Sequence, residues 1–352
     1  MTYSAADRAA IALDFLQFSP ARREELLSRA APQEIFSKTE EARRILDERE
    51  LIALQRWQGG ERTEKLLADY ARRGVVCVTR YGKEYPPALL ALPDPPLVLY
   101  CEGDLSLLSL PMFAVTGSRR TLPQIVKLTE EYARGISLKY AVVSCSAAGG
   151  DSAALRGALE RGRAVCVLAE GSLVAGPACN APLFARLRKE GLLLSEFPPP
   201  FHAPVYRLSA RNRIVAALAE AVLVVSAGEQ SGTFFTANAA RALGKPVYAF
   251  PYSPGIESGV GCNALLKDYA KCTDKLVDIA AAFGINLTET GSEPLSEREE
   301  KALELLGRGP MHVGELAQLM GEQPPQVSAL LTLLEMKGRA VSVGGNRYSL
   351  VR

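Results

Sequence analysis

Between residues 112 and 250, apolar and β-prone runs return at the interval of one strand plus one helix. They cover 112–116, 140–145, 164–169, 192–194, 221–226 and 246–250, with helically spaced stretches between them. Each run is apolar throughout instead of alternating, as a strand covered on both faces requires. The rhythm predicts an α/β fold, an extended Rossmann-like doubly wound and mostly parallel sheet. Ahead of it, 75–78 and 97–100 flank a proline-rich stretch (Pro86, Pro87, Pro93, Pro95, Pro96) and read as an extension onto that sheet. Earlier still, apolar residues recur three and four apart (Ile11, Phe15, Leu16; Ile45, Leu51, Ile52, Leu54), broken at Ser19-Pro20, Ala31-Pro32 and Gly59-Gly60. This is a small helical module of packing type. A Gly-x-Gly hairpin, which a DNA-gripping helix pair would carry, is not seen in it.

The pattern lapses into a polar linker over 286–294 and then recovers. Ser296 and Glu299 make a capping box, a second helix fits 313–319, and a third opens at Pro324-Pro325 and ends at Gly338. Two short β-prone runs across Gly344-Gly345 complete a winged helix. The expected layout is a helical (SAM-like) module at 1–74, the extended Rossmann domain at 75–285, the linker at 286–294 and the winged helix at 295–352.

Composition narrows the function. An apolar fraction of 48% suits packed cores, and a net charge of +2 excludes a bulk polycation, so any nucleic-acid site must come from local arrangement. The seven cysteines show no C-x₂₋₄-C spacing and several lie in apolar runs, as reduced core residues of a cytoplasmic protein do. With His202 and His312 as the two histidines, no metal site is expected. The first residues lack the apolar core of a signal peptide and no run is long enough to span a bilayer, so no membrane partner is expected.

In a doubly wound sheet, ligands sit beyond the carboxyl ends of the strands. There the chain places Thr116-Gly117-Ser118-Arg119-Arg120, then Ser144 to Asp151 with Gly149-Gly150, Ser195-Glu196, Gly228 to Thr233, and Gly259 to Asn263. Small residues recur where backbone must approach a ligand. Two runs stand out: Arg211-Asn212-Arg213, and Ser231-Gly232-Thr233 followed by Thr236. A Ser-Gly-Thr turn that leaves a strand and opens a helix directs N–H groups at one spot, and arginine forks suit phosphate. Taken singly, Arg119-Arg120 reads equally as a solvated pair, and Asp151 and Glu196 as capping groups. Neither histidine has a positioned Ser or Cys partner in the sequence. Hence no catalytic residue and no cofactor is expected.

Together, Thr116-Gly117-Ser118-Arg119, Ser144–Asp151 with Gly157-Ala158-Leu159, Leu194-Ser195-Glu196, Arg211-Asn212-Arg213, Ser231-Gly232-Thr233 with Thr236, and Gly261-Cys262-Asn263 resemble the DNA-processing DprA (Smf) family across residues 75 to 285. The resemblance implies a homodimer that binds single-stranded DNA and loads the recombinase RecA onto incoming DNA in natural transformation, without a chemical step. It carries DNA contacts onto Gly117, Ser118, Arg119, Arg211, Asn212, Arg213, Ser231, Gly232, Thr236 and Asn263, with Thr233 in the same turn. On this reading Arg211→Ala weakens binding and flattens its salt dependence.

The departures make it a divergent member. Cys145 stands for a usual glycine, Ala148 for an arginine, Leu155 for a histidine, Leu208-Ser209 for phenylalanine-proline, Ser226 for an acidic residue and Tyr252 for a glycine. Tyr206, Phe234, Phe235 and Tyr252 are the aromatics open to replace a lost stacking surface, though each reads first as core or pocket wall. Two other readings stay open. One is a nucleoside-monophosphate-cleaving Rossmann enzyme of the cytokinin-activating, lysine-decarboxylase-like type, although Thr236 stands where its glutamate would follow Thr233. The other is a scaffold that recruits a partner through the winged helix, whose third helix is poor in basic residues.

Overall fold

The computed structural model describes residues 2–57, 60–174, 177–202, 211–287, 296–336 and 339–350, apart from the side chains of 39 and 336. The chain divides into two compact units, Met1–Leu287 and Thr288–Arg352.

The first unit opens with helices α1 (Ala5–Phe15), α2 (Pro20–Arg29), α3 (Pro32–Ile35), α4 (Thr39–Ala42), α5 (Glu48–Arg56) and α6 (Glu61–Arg72). Ser4 and Asp47 start α1 and α5 with complete capping boxes, and Pro20 and Pro32 occupy first-turn positions where a missing N–H costs nothing. Then follow β1 (Val76–Thr79), β2 (Val98–Gly103), β3 (Met112–Gly117), α7 (Pro123–Ile136), β4 (Ala141–Cys145), α8 (Gly150–Leu159), β5 (Ala164–Val167), α9 (Ala181–Glu190) and β6 (Leu192–Ser195). The unit closes with α10 (Asn212–Leu218), β7 (Ala219–Ser226), α11 (Thr233–Ala242), β8 (Val247–Ala249), α12 (Val260–Asp268), β9 (Lys271–Cys272) and α13 (Leu276–Phe283).

Among the described residues nine strands form one sheet in the order β1-β2-β6-β5-β4-β3-β7-β8-β9. From β6 to β9 all pairs are parallel, while β2 runs antiparallel to β6 with Tyr100 opposite Ser195. The doubly wound sheet with an added extension is therefore present. Side chains alternate across it. Met112, Ala114, Val222 and Val224 face α10, α11 and α12, whereas Phe113, Val115, Leu223 and Val225 face α7, α8 and α13. The N-terminal helices bury Ile11, Leu13, Leu54 and Tyr70 against the other side of the extension, on Cys77, Val98 and Tyr100. Asp14 of α1 seals that junction: it is buried, accepts from the Tyr100 hydroxyl at 2.9 Å and pairs with Arg23 at 3.1 Å. Five cysteines (Cys77, Cys101, Cys145, Cys166, Cys262) are buried, and Cys179 and Cys272 are exposed.

The second unit is a winged helix: α14 (Glu297–Leu306), β10 (Met311–His312), α15 (Val313–Met320), α16 (Pro324–Met336), β11 (Ala340–Gly344) and β12 (Arg347–Leu350), with the sheet order β10-β12-β11. Ser296 and Glu299 form the expected capping box on α14. Gly344, Gly345 and Asn346 all take positive φ, which lets the wing reverse in so short a loop. The sequence reading missed β9 and β10, two residues each, because so short a strand carries no period of its own. The expected linker lies, from 288 on, outside the described residues.

Candidate functional site

The sheet reverses its winding between β3 and β7, since β4 to β6 lie on one side of β3 and β7 to β9 on the other. A cavity of about 1050 Å³ opens there, beyond the carboxyl ends of β3, β4 and β7. Its floor exists because two backbones meet without side chains between them. A methyl on Gly150 would come within 2.6 Å of the Gly117 Cα, so α8 starts directly against the end of β3. Asp151 locks that contact by accepting from the Thr116 hydroxyl at 2.9 Å and the Gly117 N–H at 3.0 Å. Burial raises the Asp151 carboxyl above its usual range, opposed by the Arg211 charge and those hydrogen bonds. Ser226, where an acidic residue is common, holds the next turn: its hydroxyl accepts the Ser118 N–H at 2.9 Å and lies 2.6 Å from the Thr121 hydroxyl.

Eight of the eleven expected contact residues line the cavity: Gly117, Ser118, Arg119, Arg211, Asn212, Ser231, Gly232 and Thr233. Their duties differ. Arg119, with its neighbour Arg120, is exposed and has no side-chain partner among the described residues, so both heads are open to an anion. Arg211 is a brace. Its guanidinium donates to the Val167 carbonyl at 2.7 Å, the Ser146 hydroxyl at 3.2 Å and the Asn212 side-chain carbonyl at 2.9 Å, with little surface left over. Asn212 in turn donates to the Gly232 carbonyl at 3.1 Å and accepts from the Cys145 thiol at 3.3 Å, tying α10 to β4 and to the turn before α11. Burial pushes the Cys145 thiol up to about 12, so it serves as floor and not as a nucleophile.

The Ser-Gly-Thr turn offers fewer free amides than its sequence suggests. The N–H groups of Ser231, Thr233, Phe234 and Phe235 are spent on Gly228, Ser231 and Gly232 within the turn. What it presents is the hydroxyl pair of Ser231 and Thr233, 2.8 Å apart, and open space around Gly232.

Three expected contacts lie elsewhere. Arg213 turns away and grips Glu196 with both terminal nitrogens, at 2.9 and 2.8 Å, while its Nε donates to Asp94 at 2.9 Å. Burial works against its charge, but these carboxylates outweigh burial and hold it protonated, so the residue staples the proline-rich segment to the end of β6. Thr236 is fully buried on α11. Asn263 clamps Tyr252, accepting from its N–H at 3.0 Å and donating to its carbonyl at 2.9 Å. Conversely, the sequence reading missed Ile256, Glu257 and Ser258, and gave no contact to Glu229, Gln230 and Val260 within the runs it placed at this edge, yet all six join the lining. Their position after β7 and β8 at the same sheet edge was the available signal. Of the aromatics, Phe235 lines the cavity, Phe234 packs into the core, and Tyr252 spends its hydroxyl on the Val225 carbonyl at 2.6 Å. Tyr206, Leu208 and Ser209 lie outside the described residues.

Fold and site thus define an extended Rossmann protein with an anion-facing cavity at its switch point and a winged helix as a second unit. Residues 76–284 match the family model for DNA recombination-mediator protein A, and 288–346 match the DprA winged helix domain. The chain belongs to the DprA family. It is 34% identical over 200 residues to DNA processing protein DprA of Streptococcus pneumoniae, covering 56% of this chain and 71% of that protein. It is 31% identical over 282 residues to protein Smf of Escherichia coli, covering 76% and 75%. The X-ray structure of DNA processing protein A from S. pneumoniae superposes with a TM-score of 0.70 at 26% identity over 80% of this chain and 99% of that one. DNA processing protein A from Helicobacter pylori, whose structure is described for its single-stranded DNA binding mode, gives 0.55 at 29% identity over 59% and 94%.

Proposed function

We propose that this protein binds single-stranded DNA in the cavity between β3 and β7 and acts as a recombination mediator there. The observation that carries the reading is the pair of unpartnered arginines, Arg119 and Arg120, beside the hydroxyls of Ser118, Ser231 and Thr233, in a cavity large enough for a strand rather than a single anion. Such groups position a backbone without reading sequence. The H. pylori relative's single-stranded DNA binding points the same way. Glu229, Glu257 and Asp151 line the same cavity and oppose the arginines, so attraction is modest and weakens as salt rises. Loading of RecA, assembly as a homodimer, a cytoplasmic setting and a role in natural transformation complete the proposal, resting on the family resemblance. Among the described residues no helix is long and apolar enough to cross a membrane, and no cluster of three or more His, Cys, Asp or Glu could hold a metal ion.

The test is fluorescence anisotropy of a labelled single-stranded oligonucleotide across a salt series with duplex as competitor. Preference for the single strand, with affinity falling linearly on a log–log salt plot, supports the proposal. Absence of binding at low salt, or turnover of AMP by the same preparation, overturns it in favour of the scaffold or the nucleotide-cleaving enzyme respectively.

A further inference from the structure

We propose that Phe235 is the surface on which this protein stacks a nucleobase of the strand held in the cavity; the inference rests on the nucleic-acid reading above. Phe235 stands in the first turn of α11, is 57% exposed and belongs to the cavity lining. It has no ring partner among the described residues, whereas the neighbouring Phe234 is packed into the core. Phe235 follows the turn Ser231-Gly232 by one helical turn, and open space surrounds Gly232 in the same cavity. Ile256 and Val260 add apolar edges to the same cavity, and Val260 is itself 44% exposed. The site therefore combines cations and hydroxyls for a phosphate with one flat apolar face in the same cavity. That combination suits an unpaired nucleotide and not a duplex, whose bases are stacked on each other and closed to an aromatic ring.

The experiment uses the full chain and two strands of equal length, oligothymidylate and an abasic strand with the same number of phosphates. Affinities are read by anisotropy for the wild type, Phe235→Ala, Phe235→Leu and Phe235→Trp. Removing the ring in Phe235→Ala or Phe235→Leu should weaken oligothymidylate binding about tenfold while leaving its salt slope and the abasic affinity unchanged. Phe235→Trp should keep wild-type affinity and add an indole emission that oligothymidylate quenches and the abasic strand does not. Equal loss on both strands, or no loss on either, overturns the proposal and leaves Phe235 as cavity wall. A wild type that binds neither strand overturns the nucleic-acid reading itself.

Discussion

Three arginines that look alike on paper carry different loads. Arg119 ends in open cavity, Arg211 is committed to three internal acceptors, and Arg213 is locked between Glu196 and Asp94. Arg119→Ala should therefore lower single-strand affinity uniformly across sequences and reduce the salt slope by about one, with the melting temperature unchanged. Arg213→Ala should do the reverse. It strands Glu196, whose side chain is only 11% exposed, and should cost about 3 kcal/mol in a urea unfolding series with little change in the salt slope. Sequence could place an arginine near the sheet edge but not aim it. The direction of the Arg213 head depends on Asp94, 119 residues away in the chain, which a local motif does not contain. Phe235 was undecided for the same reason: helical spacing does not tell a wall from a mouth.

Among elements, the strands of the parallel sheet were legible because continuous apolar runs at βα spacing have few other uses. The packing of α1 to α6 onto the extension was not, since it depends on which face of β1 and β2 those helices choose. Asp14 makes that junction sensitive to pH. Burial raises its carboxyl from 3.8 to about 7, against the pull of Arg23 and the Tyr100 hydroxyl. The native state then holds a proton that the unfolded chain releases, so this stabilisation is complete below about pH 4 and lost as pH rises toward 7. Asp14→Asn should flatten the fall in stability between those limits, a difference of up to about 4 kcal/mol, measured as urea midpoints across the range.

For the molecule as a whole, two units with separate cores imply separable duties. The third helix of the winged-helix unit, α16, carries no basic residue between Pro324 and Met336, so it lacks the charges that duplex binding uses. A chain ending at residue 287 should keep a cooperative unfolding transition and single-strand affinity within about threefold of the full chain, and the isolated 288–352 fragment should not retard duplex at 150 mM salt, roughly physiological ionic strength. The arrangement of thiols also has a practical consequence. Cys179 and Cys272 lie at the surface, while Cys77, Cys101, Cys145, Cys166 and Cys262 are enclosed, with burial raising their ionisation well above neutral pH. An alkylating reagent should therefore mark two positions at once and the other five only when the sheet opens around them. The native chain thus carries its own clock, in which the order of late labelling reports which strands part first.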